Sequence, residues 1–137
     1  MVELVEIKST VAETLGTSRL FRAFFRGYVS AALWSTCGDD GEPLDRTKTA
    51  RDIDSESMFR MLADCAAFLD SVQFHWDEWS GEETYEKGGH VFWLNRNGHG
   101  VTFMDGGWEY AEYFYRAANN AGACDLYVGD DSSVYLA

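Results

Sequence analysis

The chain has 137 residues, of which 46% are hydrophobic and 15% aromatic, and its formal net charge is −12. This length and apolar content predict one domain over residues 1–137, with a core that needs neither a disulfide nor a metal. The absence of a long apolar run excludes a membrane-spanning segment, and the acidity disfavours direct binding to nucleic acid phosphates. The first residues, with Glu3 and Glu6, do not resemble a secretory signal.

The negative charge is concentrated in the second half of the chain. Residues 1–69 hold 11 acids and 8 bases, whereas residues 70–137 hold 12 acids and 3 bases. One interpretation is that the acidity keeps the protein soluble. The other is that it binds a partner protein with a basic groove, in place of nucleic acid. The residues expected to contact such a partner are Asp77, Glu78, Glu82, Glu83, Glu86, Glu109, Glu112, Asp130 and Asp131, with Trp76 and Trp79 as apolar anchors.

The first half of the chain predicts two helices after a loosely attached segment, 1–17, which could be strand or helix. Apolar residues recur every three or four positions from Arg19 to about Trp34, and Asp54 or Ser55 offers a cap for a second helix. The loop between them, residues 38–54, lacks the spacing of a calcium loop. Arg19, Arg22 and Arg26 form a basic stripe on the first helix, expected to be a solvated face and alternatively an anion site.

The cysteines of the chain, Cys37, Cys65 and Cys124, are odd in number and widely spaced, without a zinc pattern. They predict buried thiols in a reducing cytoplasm. Cys65 falls on the apolar stripe of the second helix, so we expect it to be an inert core residue.

The run His90–Asp105 predicts a central β-hairpin. Asn97-Gly98 is a strong signal for a tight type I′ turn, and aromatic residues flank it on both sides. In this register His90 faces Asp105, and the buried face carries Phe92, Leu94, Val101 and Phe103. Gly88-Gly89 would close the preceding acidic and aromatic loop.

The remaining residues predict a third helix, about Trp108 to Asn120, which Gly122 ends, and a second hairpin of Leu126–Val128 and Val134–Leu136. The expected fold class is therefore α+β. It would have two N-terminal helices, a central hairpin, a third helix and a C-terminal hairpin, with the helices covering an antiparallel sheet.

Few residues suggest catalysis. A His90–Asp105 pair could orient a general base, with His99 nearby, but the sequence has no nucleophile motif, so a cross-strand ion pair is the simpler reading. A metal site from His75, His90 and His99 would need a convergence that their spacing does not indicate. We expect no cofactor and no metal.

Three stretches resemble a family of small acidic hypothetical proteins of tailed phages, prophages and plasmids. They are Tyr28–Ser35 followed by Asp39–Asp45, then His90–Gly100, and finally Asp125–Asp131; the resemblance covers roughly residues 28–137. The family usually reads His-Asp-Phe-Trp where this chain has Val91 in place of the acid. It usually reads Gly-Phe-Trp-Asp at the position of Thr102–Asp105.

This resemblance implies an origin on a mobile element, where small acidic proteins often block host defence enzymes. The expected function is thus a non-enzymatic accessory protein that binds a host protein in the host cytoplasm through its acidic surface. A nucleic-acid-mimicking inhibitor of the anti-CRISPR or anti-restriction type is one form of this function. The alternatives are a small hydrolase or metal-dependent enzyme using His90, Asp105 and His99, and a structural or dimerisation module.

Overall fold

The structure is a computed structural model that describes residues 18–72, 79 and 81–137. These parts of the chain are mostly helical and contain one two-stranded antiparallel sheet, so the predicted α+β class with a central hairpin is wrong. The elements are α1 (Ser18–Ser35), α2 (Ser55–Ser71), α3 (Gly81–Arg96), α4 (Ala111–Asn120), β1 (Leu126–Val128) and β2 (Val134–Leu136). Segment 1–17 lies outside the described residues.

Helix α3 takes the place of the predicted central hairpin. Asn97-Gly98 ends this helix instead of turning between two strands. The Gly98 N–H donates to the Asn95 carbonyl (3.3 Å) and the His99 N–H to the Leu94 carbonyl (3.0 Å), while Gly98 has φ +67°. These two bonds form a Schellman motif, which satisfies the last carbonyls of a helix and favours glycine at the left-handed position.

The second half of α3 is buried on every side, since residues 91 to 96 are all at most 8% exposed. Phe92, Leu94 and Phe103 are buried as predicted, but Val101 is 42% exposed because it lies in the loop after the helix. Stacked aromatic rings fill the space around Phe92, whose centroid lies 4.2 Å from that of Phe68 on α2. The core is therefore built around one helix, not around a sheet.

Glycines bring α1 and α3 into main-chain contact. A Cβ at Gly27 would collide with the Glu86 carbonyl, and one at Gly89 with the Phe24 carbonyl. The two backbones thus approach more closely than any side chain would allow. The predicted role of Gly88-Gly89 as a loop end is wrong, because both residues lie inside α3.

Helices α1 and α2 and the C-terminal hairpin confirm the sequence predictions. Asp54 caps α2, accepting a hydrogen bond from the Ser57 N–H at 3.2 Å. Helix α4 begins at Ala111, three residues later than predicted, because Tyr110 takes a left-handed conformation at φ 58°. Gly122 follows α4 with φ +79°, as its predicted capping role requires.

One edge of the hairpin packs on α2. The Asp54 N–H donates to the Val134 carbonyl (2.8 Å), and the Leu136 N–H donates to the Ser57 Oγ (2.9 Å). The Arg60 guanidinium donates to the Leu136 carbonyl at 3.0 Å. Three of the four outward-facing main-chain groups of β2 are thereby bonded, and Ile53 forms an isolated bridge with Val134, so the sheet is covered on this side.

Candidate functional site

The loop that follows α1 and strand β1 enclose a cleft, which we call the acidic cleft. Its walls are residues 36–48 on one side and Leu126, Tyr127 and Val128 on the other, and its volume is about 410 Å³. The Leu126 side chain is buried in the core, whereas Tyr127 and Val128 are 51% and 41% exposed. The cleft therefore offers apolar surface beside an exposed strand.

The loop wall of the cleft is held in place by its own hydrogen bonds. The Leu44 N–H donates to the Thr36 carbonyl (2.8 Å) and the Gly38 N–H to the Glu42 carbonyl (2.9 Å), while Leu44 is buried. The Lys48 Nζ donates to the Ser132 carbonyl at 2.7 Å, which ties the loop to the hairpin turn. The loop wall is therefore bonded to the hairpin that contains the other wall, β1.

The β1 edge that faces away from β2 is open. Main-chain bonds join Ala137 to Asp125 and Gly129 to Ser133, both at 2.8 Å. Because bonded and non-bonded pairs alternate along an antiparallel ladder, the main-chain groups of Leu126 and Val128 must point outward. Of these four main-chain groups, only the Leu126 N–H has a hydrogen-bond partner within the described part of the chain. That partner is the Asp125 carboxylate, at 3.1 Å.

The acidic cleft carries an excess of negative charge. Segments 38–48 and 129–133 contain six acids and two bases. Of the two bases, Arg46 pairs with Glu42 at 3.7 Å, and Lys48 is bound to the hairpin turn. The acids that pair with no base in the described structure are Asp39, Asp40, Asp45, Asp130 and Asp131, all of them exposed.

Asp131 remains ionised to lower pH than an ordinary carboxylate. The Tyr135 hydroxyl donates to its Oδ2 at 2.6 Å, and the Ser133 N–H donates to its Oδ1 at 3.0 Å. These bonds, led by that of the hydroxyl, lower the pKa of Asp131, and the same contact raises the pKa of Tyr135 to about 12. Asp131 therefore keeps its negative charge at the hairpin turn when the pH is lowered moderately.

The acids predicted to contact a partner are spread over several parts of the surface. Among those the structure describes, Glu82 and Glu86 of α3 are engaged by the basic stripe of α1, through Arg19 (3.1 Å) and Arg26 (3.1 Å). This stripe is therefore an exposed face on which Arg19 and Arg26 form ion pairs with α3. Glu112 pairs with Arg116 in α4 at 2.7 Å, whereas Glu83 and Glu109 are exposed and outside these pairs. Asp130 and Asp131 lie beside the acidic cleft.

The two predicted tryptophan anchors differ in their positions. Trp76 lies outside the described residues, as do Asp77, Glu78 and His75. Trp79 is 8% exposed, and its ring lies 5.0 Å from that of Trp108 and 5.2 Å from that of Phe114. It fills the core and is not an exposed anchor.

The residues of the enzymatic alternative lie on α3 (His90) and in the loop that follows it (His99 and Asp105). His90 lies on α3, with its ring 5.9 Å from that of Trp34 on α1. Asp105 accepts a hydrogen bond from the Thr102 N–H at 2.9 Å in the loop after α3. The predicted cross-strand pairing of His90 with Asp105 is therefore wrong, because neither residue lies in a strand.

His99 shares a shallow depression with Cys124 and Asn97. Burial raises the pKa of the Cys124 thiol, which disfavours the thiolate that a nucleophile needs. Cys65 is fully buried as predicted, while Cys37 is exposed, so the prediction of buried thiols is wrong for that residue. Among the described residues, no group of three or more His, Cys, Asp or Glu side chains could hold a metal ion.

A buried polar cluster around Arg96 has no counterpart in the sequence predictions. The Arg96 side chain is 4% exposed, and its guanidinium donates to the Asp64 Oδ2 (2.8 Å) and the Tyr28 hydroxyl (2.9 Å). It also donates to the carbonyls of Gly122 (2.7 Å) and Ala121 (3.0 Å), which end α4. The sequence signal that could have indicated this cluster was a single arginine, Arg96, directly after an aromatic and apolar run. Because these contacts join α1, α2 and α3 to the end of α4, the cluster is structural.

No helix within the described ranges has the length and apolar character needed to cross a bilayer. No protein family, curated protein or solved structure matches the chain.

Proposed function

We propose that the protein binds a basic partner protein through exposed carboxylates. The observation that carries this proposal is the excess of unpaired acids on its surface. The described residues include 18 acids and 10 bases, and ion pairs between them engage only five of the acids. Five of the unpaired acids, Asp39, Asp40, Asp45, Asp130 and Asp131, lie on the loop and hairpin turn around the acidic cleft.

Such a surface acts over a distance. Unpaired charges of one sign raise the rate of encounter with an oppositely charged partner, and they repel nucleic acid and other acidic proteins. A natural partner for this field is a protein whose basic groove ordinarily holds nucleic acid. In the finer form of the proposal, the chain comes from a phage or another mobile element, and its partner is a host defence complex in the cytoplasm.

The proposal is tested by capturing partners from a bacterial lysate on the tagged chain, at low and high salt and with or without excess duplex DNA. Two variants with equal changes in net charge separate the parts of the surface. D39K/D40K reverses the acidic cleft, and E83K/E109K reverses exposed acids on the helical side. We expect the wild-type chain to capture a basic protein that salt and DNA release.

At least one of the two charge reversals should weaken that capture, with the melting temperature unchanged. A reduction in D39K/D40K would assign the partner to the cleft, and one in E83K/E109K would assign it to the helical side. Capture that is insensitive to salt and to both reversals would contradict the proposal, since the acidity would then serve only solubility.

A further inference from the structure

We propose that the acidic cleft binds an extended segment of the partner that carries lysine or arginine, and that this segment adds to β1 as a third strand. The inference rests on the proposed function in one respect, namely that the partner is basic. It goes further in naming the site, the conformation of the bound segment and the hydrogen bonds that hold it.

The first argument is the difference between the two edges of the hairpin. The outer edge of β2 is closed by α2, through the Asp54 N–H and the side chains of Ser57 and Arg60. On the outer edge of β1, the Val128 N–H and C=O and the Leu126 C=O meet no partner within the described part of the chain. Extended peptides bind to proteins by supplying the missing neighbour of such an edge.

The second argument is the space beside this edge. The cleft of about 410 Å³ separates β1 from the 36–48 loop, so a strand at the usual spacing of about 4.8 Å would lie between the two walls. The exposed Tyr127 and Val128 side chains offer apolar contact for the stem of a long basic residue. The site is therefore a cleft with an edge strand as one wall, which differs from an exposed flat sheet.

The third argument is charge, which selects the kind of segment. Asp39 and Asp40 lie on the loop wall, and Asp130 and Asp131 lie on the adjoining hairpin turn. Because Arg46 and Lys48 are already engaged, a lysine or arginine of the incoming segment meets uncompensated carboxylates. A second copy of this chain would bring the same acids together, so charge disfavours edge-to-edge dimers.

The test uses a defined probe, the peptide acetyl-Lys-Val-Lys-Val-Lys-Val-amide, with the full-length chain. Amide hydrogen exchange and NMR titration report on Val128 directly. We expect saturating peptide to slow exchange of the Val128 N–H at least tenfold. The same peptide with N-methylated valines, or with glutamate for lysine, should bind at least tenfold more weakly.

Two charge-neutralising variants complete the test. D39N/D40N should weaken peptide binding about three- to tenfold, and E56Q/D70N, which makes the same change in charge at exposed positions of α2 outside the cleft lining, should alter it less than twofold. Equal binding of the N-methylated peptide, with Val128 exchange unchanged, would overturn strand addition. A lysate partner that is still captured through the acids would then leave the proposed function standing.

Two further outcomes also overturn the inference. If Val128 exchanges slowly without peptide and the chain sediments as a dimer, a second copy occupies the edge. If the probe does not bind at millimolar concentration, the cleft does not accept extended basic segments. In both cases the salt and charge-reversal tests of lysate capture decide the proposed function separately.

Discussion

Replacing Arg96 by methionine tests the packing of the whole helical core. The Arg96 side chain is 4% exposed, and its guanidinium donates to the Asp64 carboxylate, the Tyr28 hydroxyl and the carbonyls of Ala121 and Gly122 just after α4. Asp64 and Tyr28 also raise the pKa of Arg96 against the effect of its burial, so the side chain stays charged. Methionine keeps an unbranched apolar stem but removes every donor.

The expected loss follows from what the substitution leaves behind. Breaking a buried ion pair from one side costs about 3–5 kcal/mol. Here the Asp64 side chain is 38% exposed and recovers hydration, which reduces that figure. The fully buried Tyr28 hydroxyl loses a hydrogen-bond partner, which adds about 1–3 kcal/mol to the loss. The carbonyls of Ala121 and Gly122 add less, because both residues are exposed and water can replace the lost donor. We expect Arg96→Met to lower the free energy of unfolding by about 3–5 kcal/mol.

The matched control is Asp64→Asn. Asparagine can still accept the hydrogen bond from Arg96, but it leaves the buried guanidinium without its counter-charge. Because the Asp64 position is partly solvated, we expect a loss of about 1–2 kcal/mol, smaller than that of Arg96→Met. Urea unfolding followed by the fluorescence of the five tryptophans measures both losses. At a slope of about 1.5 kcal/mol/M, Arg96→Met should lower the midpoint by roughly 2–3 M. A loss below about 1 kcal/mol for Arg96→Met, or an equal loss for Asp64→Asn, would refute this assignment.

Three further predictions concern the helix crossing, pH and the thiols. Gly89→Ala should lower the free energy of unfolding by about 3 kcal/mol or more, because its Cβ meets an α1 carbonyl; a urea midpoint close to wild type would place Gly89 outside a helix crossing. Burial lowers the pKa of His90, although Glu86 opposes the shift, so the folded state binds a proton less readily than the unfolded chain. Stability should therefore decline as pH falls below about 6.5, and the decline should lessen in His90→Gln, as thermal melts between pH 7 and 5.5 would measure; an equal decline in that variant would contradict the assignment to His90. A thiol reagent should modify the exposed Cys37 at once and Cys65 only on unfolding, because Cys65 is fully buried and burial raises its pKa; equal rates in native buffer would contradict this placement.

Local sequence signals were sufficient for α1, α2 and the C-terminal hairpin. Apolar residues recur along one face of each helix, and the Asp54 cap and the polar turn after Val128 mark where elements begin or end. These signals act over a few residues. They do not depend on which part of the chain packs against them, so the sequence alone was enough to predict the elements.

The same kind of signal was misleading for residues 90–105. Asn-Gly supplies a left-handed residue both to a type I′ hairpin turn and to the end of a helix, and the two uses look alike in sequence. Periodicity could not decide between them, because residues 91 to 96 are buried on all sides. Packing decided in favour of a helix, since Gly27 and Gly89 let α1 approach its backbone.

The sequence by itself determined the excess of acid, helices α1 and α2 and the terminal hairpin, because these depend on composition and on neighbours within a few residues. Only the tertiary structure decided which acids remain unpaired. Arg19 and Arg26 neutralise Glu82 and Glu86 across some sixty residues of chain, as ion pairs between two packed helices. The open edge of β1 was likewise decided by α2, which closes one side of the hairpin and leaves the other beside the acidic cleft. Such contacts form between segments far apart in the chain, so no local pattern of residues encodes them.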